Sequence, residues 1–211
     1  MKEQMEYQKP MEIENRSMEI IQAELGEISL PEPELCVLRR VIHTTADFDY
    51  AKNLVFSPHA VERALDALRN GAHIVTDTNM ALAGINKTSL HHLGGEAHCF
   101  MADPDVAAEA KARGVTRAVV SMEHACRLDV PLIFAVGNAP TALVRLYQLI
   151  EEKQIKPELI IGVPVGFVNV VEAKEQILAQ QEVPCIVARG RKGGSNVAAA
   201  VCNALLYQLY R

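Results

Sequence analysis

Leu132-Ile-Phe-Ala-Val-Gly137, Leu159-Ile-Ile-Gly-Val163 and Cys185-Ile-Val-Ala188 decide the fold class. Each is a short, almost wholly apolar run. Each leads through a glycine-containing turn into a longer segment of helical periodicity: Pro140–Ile155, Val170–Gln181 and Ser195–Tyr210. A strand covered on both faces reads as such a continuous run, and strands alternating with helices define βαβ units around a parallel sheet. Working outward, His73-Ile-Val-Thr-Asp77 reads as a strand entering a helix over Thr78–Ile85. Ala97–Met101 reads as another strand, ahead of a helix over Pro104–Arg113. Right-handed crossovers place helices on both sides of the sheet. The expected architecture is a single three-layer α/β/α domain with a mostly parallel sheet.

The first 45 residues are different. Met11–Leu25 and Pro33–Thr45 read as amphipathic helices, with Pro31 and Pro33 placed to start the second. No strand precedes them, so they pack beside the sheet or against another subunit. Residues 1–10 read as a flexible N-terminal segment and lack the apolar core of a signal peptide. The whole of 1–211 is then one domain.

Composition excludes some partners. A formal net charge of −5 in 211 residues does not suit a general binder of nucleic acid or anionic membrane. The longest apolar stretches, such as Val130–Gly137, are far short of the roughly 20 residues needed to span a bilayer. The five cysteines form no CxxC pair. Cys36, Cys126, Cys185 and Cys202 read as buried small hydrophobes, and Cys99 does so less securely, consistent with a reducing cytoplasm.

In parallel sheets, ligands gather where loops and helix N-termini meet the carboxyl ends of the strands. Three glycine turns fall there: Gly137-Asn-Ala-Pro-Thr141, Gly162-Val-Pro-Val-Gly-Phe-Val168 and Gly190-Arg-Lys-Gly-Gly-Ser195. Their amides and helix ends suit an anion. Asn138, Thr141, Gly166, Arg191, Gly193, Gly194 and Ser195 are the candidate contacts, with Arg189 and Lys192 nearby. Tight turns and nothing more remain an alternative. No GxGxxG or GxxxxGK[ST] motif supports a nucleotide.

His43 lies just beyond the apolar stripe Leu35–Leu38–Ile42, with Arg39 and Arg40 one turn earlier and Thr44 beside it. A proton-transfer role competes with that of a surface histidine on a basic face. Asp47 and Asp49 either orient the ring or cap the helix. Ser17 interrupts an inward stripe of Ile13, Ile20 and Ile21; it faces a ligand or bonds back to its own helix. His91, His92, His98 and Cys99, with His124 and Cys126 further on, match neither HExxH nor a zinc ribbon. They read as loop or strand-edge residues, with no metal expected.

Val41-Ile-His43-Thr-Thr and the three glycine turns, in this order and in a chain of this length, resemble precorrin-8X methylmutase, a family that includes the cobalt-precorrin-8 enzymes. The likeness runs from about Ile13 to the C-terminus. It implies an isomerase of cobalamin biosynthesis that moves the macrocycle's C-11 methyl to C-12 by a 1,5-sigmatropic shift, giving a hydrogenobyrinic or cobyrinic acid. The family's catalytic histidine maps onto His43, and its substrate-contacting serine and arginine map onto Ser17 and Arg40. The resemblance also implies a homodimer with the site near the subunit interface and a corrinoid tetrapyrrole as partner. No cofactor is expected, since any cobalt belongs to the substrate. A non-catalytic corrinoid carrier would need the same cations but not His43. A phosphate- or nucleotide-binding α/β enzyme would rely on Gly190–Ser195 alone.

Overall fold

Six strands and eleven helices follow one another along residues 10–211, the part of the chain described by this computed structural model. Two helices come first, α1 (Pro10–Leu25) and α2 (Glu32–Thr45), then a single turn, α3 (Tyr50–Asn53). The layered part begins with β1 (Leu54–Phe56), α4 (Ala60–Arg69), β2 (His73–Thr76), α5 (Asn79–Gly84) and α6 (Lys87–His92). It continues through β3 (Ala97–His98), α7 (Pro104–Arg113), α8 (Arg117–Ala125), β4 (Leu132–Val136) and α9 (Pro140–Glu151). β5 (Leu159–Gly162), α10 (Val170–Ala179), β6 (Cys185–Ala188) and α11 (Ser195–Leu206) complete the chain.

The sheet runs β1-β6-β5-β4-β2-β3, parallel throughout except for β1, which pairs antiparallel with β6. Period-two alternation divides the strands between two cores. Ile133, Ala135, Leu159, Ile161 and Ile186 face α2, α4, α5 and α11. Leu132, Phe134, Val136, Ile160 and Val187 face α8, α9 and α10. This is the expected three-layer α/β/α arrangement, with the expected mostly parallel sheet. Crossovers leave β2 toward one edge of the sheet and β4 toward the other, so the winding reverses between these neighbours, where an open α/β sheet has its crevice.

The differences from expectation have local causes. β1 lies outside every predicted strand; three residues are too short for periodicity to show, and pairing with β6 creates it. The strand expected over Ala97–Met101 stops at His98, because Phe100 turns to accept the Asp103 N–H at 3.1 Å. Helix α9 stops at Glu151 rather than Ile155, two residues before Lys153 takes φ 55°. Helix α1 starts at Pro10, inside the segment expected to be flexible; residues 1–9 lie outside the described residues. Cys185 and Cys202 are buried as expected, but Cys36 and Cys126 are only half-buried, each near the surface of its helix. No helix among the described residues is long and apolar enough to cross a membrane.

The inward stripe of α1 is also corrected. Met18, Ile21 and Leu25 pack on the body, whereas Ile13 and Ile20 are 51% and 46% exposed. Ser17, one turn from exposed Ile13 and Ile20 and one turn from buried Ile21, sits at the boundary between the two faces and is half-buried. The sequence pattern contains two apolar faces on this helix, and one chain covers only one of them.

Candidate active site

The three glycine turns meet beyond the carboxyl ends of β4, β5 and β6, backbone against backbone. A Cβ on Gly137 would lie 2.7 Å from Ser195 Cα, and one on Gly193 would lie 2.1 Å from the Val163 carbonyl oxygen. Gly193 also sits at φ 156°, open to glycine and strained for any L side chain. The Gly194 N–H donates to Val163 O at 2.9 Å, and the Gly166 N–H donates to Arg191 O at 3.2 Å. Ser195, expected to face the ligand, is buried, with its Oγ 2.8 Å from Thr78 Oγ1. Gly193, Gly194 and Ser195 thus frame the site, and the open positions are their neighbours.

The anion expected at the first turn is supplied by the chain itself. Asp77, fully buried at the end of β2, accepts the N–H groups of Gly137 (2.8 Å), Asn138 (2.8 Å) and Ala139 (2.6 Å). Burial pushes its carboxyl up, against three amides that favour the ionised form. The crevice between β2 and β4 is therefore closed to a ligand carboxylate at the helix end, which corrects the reading of this turn as an anion seat. The Asn138 side chain remains exposed, and Thr141 turns away to Thr116, Oγ1 to Oγ1 3.0 Å.

Two lysines brace the third turn. Lys174, on α10 and fully buried, donates from Nζ to the carbonyls of Gly190 and Lys192, both at 2.8 Å. Burial lowers its pKa from 10.5 to about 8. Lys192 reaches across to Asp47 and Asp49, Nζ 2.6 Å from an oxygen of each. Those two acids therefore neither orient His43 nor only cap a helix: they tie the end of α2 to the glycine turn. The Lys192 ammonium holds the Asp47 carboxyl below the usual carboxylate range. Arg189 pairs with Glu175. Arg191 is the cation of this turn with no carboxylate partner among the described residues; its guanidinium lies 5.4 Å from the centre of the exposed Phe167 ring.

His43 occupies the last turn of α2, exposed, with Thr44 exposed beside it. No hydrogen bond or ion pair engages its ring among the described residues. Val37, Leu38, Val41 and Ile42 fix the helix under it, and the Ala46 N–H closes the helix end on Ile42 O at 2.7 Å. A rigid frame thus carries an unengaged imidazole. Arg40 is not beside the ring in its contacts: it pairs with Glu14 at 2.6 Å, lowering that carboxyl, and lies over Tyr207. Arg39 is held by Glu32 and by Gln22. Both arginines line a cleft of about 190 Å³ between α1, α2 and α11, and Thr141 lines another of about 440 Å³ with Arg113 and Arg145. Neither cleft contains His43. The Lys192 bridge ties the end of α2, which carries His43 and Thr44, to the turn that carries Arg191, while Arg39 and Arg40 line a cleft that His43 does not share.

Sequence reasoning missed Asp77, Thr78 and Lys174. An acid at the end of a buried strand was a usable sign of Asp77; nothing in Val170–Ala179 marked which side of the helix Lys174 takes.

A doubly wound α/β domain with glycine turns at its strand ends, one of them tied by Lys192 to the helix end that carries an unengaged imidazole, belongs to the class of enzymes that gather their ligand at the carboxyl edge of the sheet. Residues 12–208 match the family model described as precorrin-8X methylmutase. The cobalt-precorrin-8 methylmutase of Priestia megaterium is 43% identical over 196 residues, 93% of this chain and 87% of the relative. The Salmonella typhimurium enzyme of the same name is 48% identical over 174 residues, 82% of this chain and 80% of the relative. The crystal structure of the precorrin-8X methylmutase of Thermus thermophilus superposes with a TM-score of 0.86 at 42% identity, covering 93% of this chain and 95% of that one. The chain belongs to the precorrin-8X methylmutase family and is an isomerase of cobalamin biosynthesis.

Proposed function

We propose that the chain moves the methyl group on C-11 of a precorrin-8X-type macrocycle to C-12, giving a hydrogenobyrinic or cobyrinic acid, with His43 as the proton-transfer residue. The observation that carries this is the exposed, unengaged ring of His43 on a rigid helix end, tethered through Asp47, Asp49 and Lys192 to the glycine turns. In the shift, the C-11 to methyl bond breaks as the C-12 to methyl bond forms, and the conjugated electrons rearrange with no net oxidation. The imidazole donates a proton to the ring system and recovers it afterwards, a contribution of about 10²–10⁴-fold. A redox-neutral intramolecular shift asks for no cofactor, and cobalt, where present, travels with the substrate.

The substrate's carboxylates need cations. Arg191 is free to supply one, with the exposed Phe167 offering an apolar surface beside it. Arg40, Arg39 and Ser17 reach the same ligand through a second copy of the chain. Ile13 and Ile20, one turn to either side of Ser17, leave an apolar face open in one chain, so a homodimer covers that face and closes the site. Thr44, Asn138 and Gly166 are the remaining contacts, at the exposed or half-exposed rim. The test is turnover of the precorrin substrate, followed by absorbance, in wild type and His43→Ala. The variant is expected to bind the corrinoid product and lose at least about a hundredfold in kcat. Full activity in the variant refutes the assignment.

A further inference from the structure

At the opposite end of the sheet from the glycine turns, the first residue of β2 and the edge strand β3 bring together three side chains that the methyl shift does not use. His73 Nδ1 lies 2.9 Å from His98 Nε2, with the rings 5.1 Å apart and 20° from parallel. Glu96, two residues before His98, projects to the same face of β3. One ligand atom from each of His73, Glu96 and His98 lies within 4.8 Å of the other two. Of the histidines that stand out along the chain, His98 alone belongs to this set. His92 stacks on Tyr210, and His124 faces Asp105 and Glu109.

We propose that His73, Glu96 and His98 bind a late first-row divalent cation, Zn(II), Co(II) or Ni(II), which clamps the edge strand β3 onto β2. The donor set is two imidazoles and one carboxylate, a combination suited to such ions, with a fourth position left to water. Tetrahedral coordination with bonds of about 2.0–2.1 Å places two nitrogens about 3.3 Å apart. The present separation needs only a few tenths of an ångström of widening, and the proton between the rings moves to the far nitrogen of its own imidazole, a change of tautomer, as the ion takes its place.

The backbone holds the donors in place beforehand. The Ile74 N–H donates to Glu96 O at 2.8 Å, and Ile74 and Val75 pair with Ala97 and His98. Gly95 is pressed so closely on the Ala72 carbonyl that a Cβ there would come within 2.3 Å of its oxygen. His73 and His98 are half-buried and Glu96 is exposed, so the carboxylate swings in from solvent to complete the site. The two-residue β3 is the shortest strand of the sheet and the one with most to gain from a clamp.

The test uses the full chain without a polyhistidine tag, stripped with chelator and titrated with ZnCl₂ by calorimetry. The expected result is one equivalent per chain at micromolar affinity or better, with a rise in Tm. His98→Gln and Glu96→Gln each weaken binding by at least about tenfold, and His91→Gln/His92→Gln leaves it unchanged. Glu96 is exposed, so its variant carries the test even if His98→Gln fails to fold. Co(II) bound at the site shows ligand-field absorption without a thiolate charge-transfer band. Saturation absent up to about 1 mM, wild-type affinity in both single variants, or a strong thiolate band placing the ion on Cys99 would each overturn the proposal.

Discussion

Replacing Lys174 with methionine removes a buried ammonium and leaves two carbonyls, Gly190 O and Lys192 O, without their donor. The magnitude follows from the lysine's pKa, lowered by burial from 10.5 to about 8. In this case the folded chain binds its proton less tightly than the unfolded chain, so stability rises with pH wherever only the unfolded chain keeps the proton. The window is therefore pH 8 to 10.5. Below it, both states carry the charge and the folded state bears the full desolvation penalty. The gap amounts to about 3 kcal/mol at about 1.4 kcal/mol per pKa unit, of which about 2 kcal/mol is recovered by pH 9.5. A neutral amine still donates two hydrogens, so the turn keeps both bonds as the charge leaves. The assay is urea unfolding of wild type and Lys174→Met at intervals from pH 7 to 10.5. Other tyrosines, lysines and cysteines titrate alike in both proteins and cancel in the difference. The stability of wild type relative to the variant should climb by about 2 kcal/mol between pH 7 and 9.5. A difference that stays flat or falls over that range refutes the argument that this lysine is buried and charged.

Three further outcomes follow from the same contacts. Asp77→Asn turns an amide donor toward one of three backbone N–H groups, and urea midpoints at constant m should report a loss of about 2–4 kcal/mol; wild-type stability would show that the carboxylate is not the cap. Gly193→Ala forces a methyl against the Val163 carbonyl, and calorimetry should show a loss of about 3 kcal/mol or more. An unchanged Tm would mean the turn is not packed as described. Ile20→Lys places a charge on the open face of α1 without touching the core. Light scattering should show a dimeric wild type and a monomeric variant that has lost turnover while its own fold persists; an unchanged dimer would move the interface elsewhere.

Much of the layered fold was readable along the chain because a strand buried on both faces must be apolar throughout and a covering helix must repeat every 3.6 residues. Leu132–Val136 and Cys185–Ala188 satisfy the first condition alone, with no help from their neighbours. The order of motifs around His43 and the glycine turns likewise marks the family within the sequence itself. Tertiary structure decided what each polar group faces. Asp77 became the cap of a turn some sixty residues away, Lys192 became the tie to Asp47 and Asp49, and Ile13 and Ile20 came to lie on a face of α1 that their own chain leaves open. The physical reason is range. Hydrophobic periodicity is a local property that burial enforces residue by residue, whereas a hydrogen bond or ion pair is chosen among all partners that packing brings within about 3 Å. His73 shows the same limit: 25 residues from His98 along the chain, it meets Glu96 and His98 only because β2 and β3 pair.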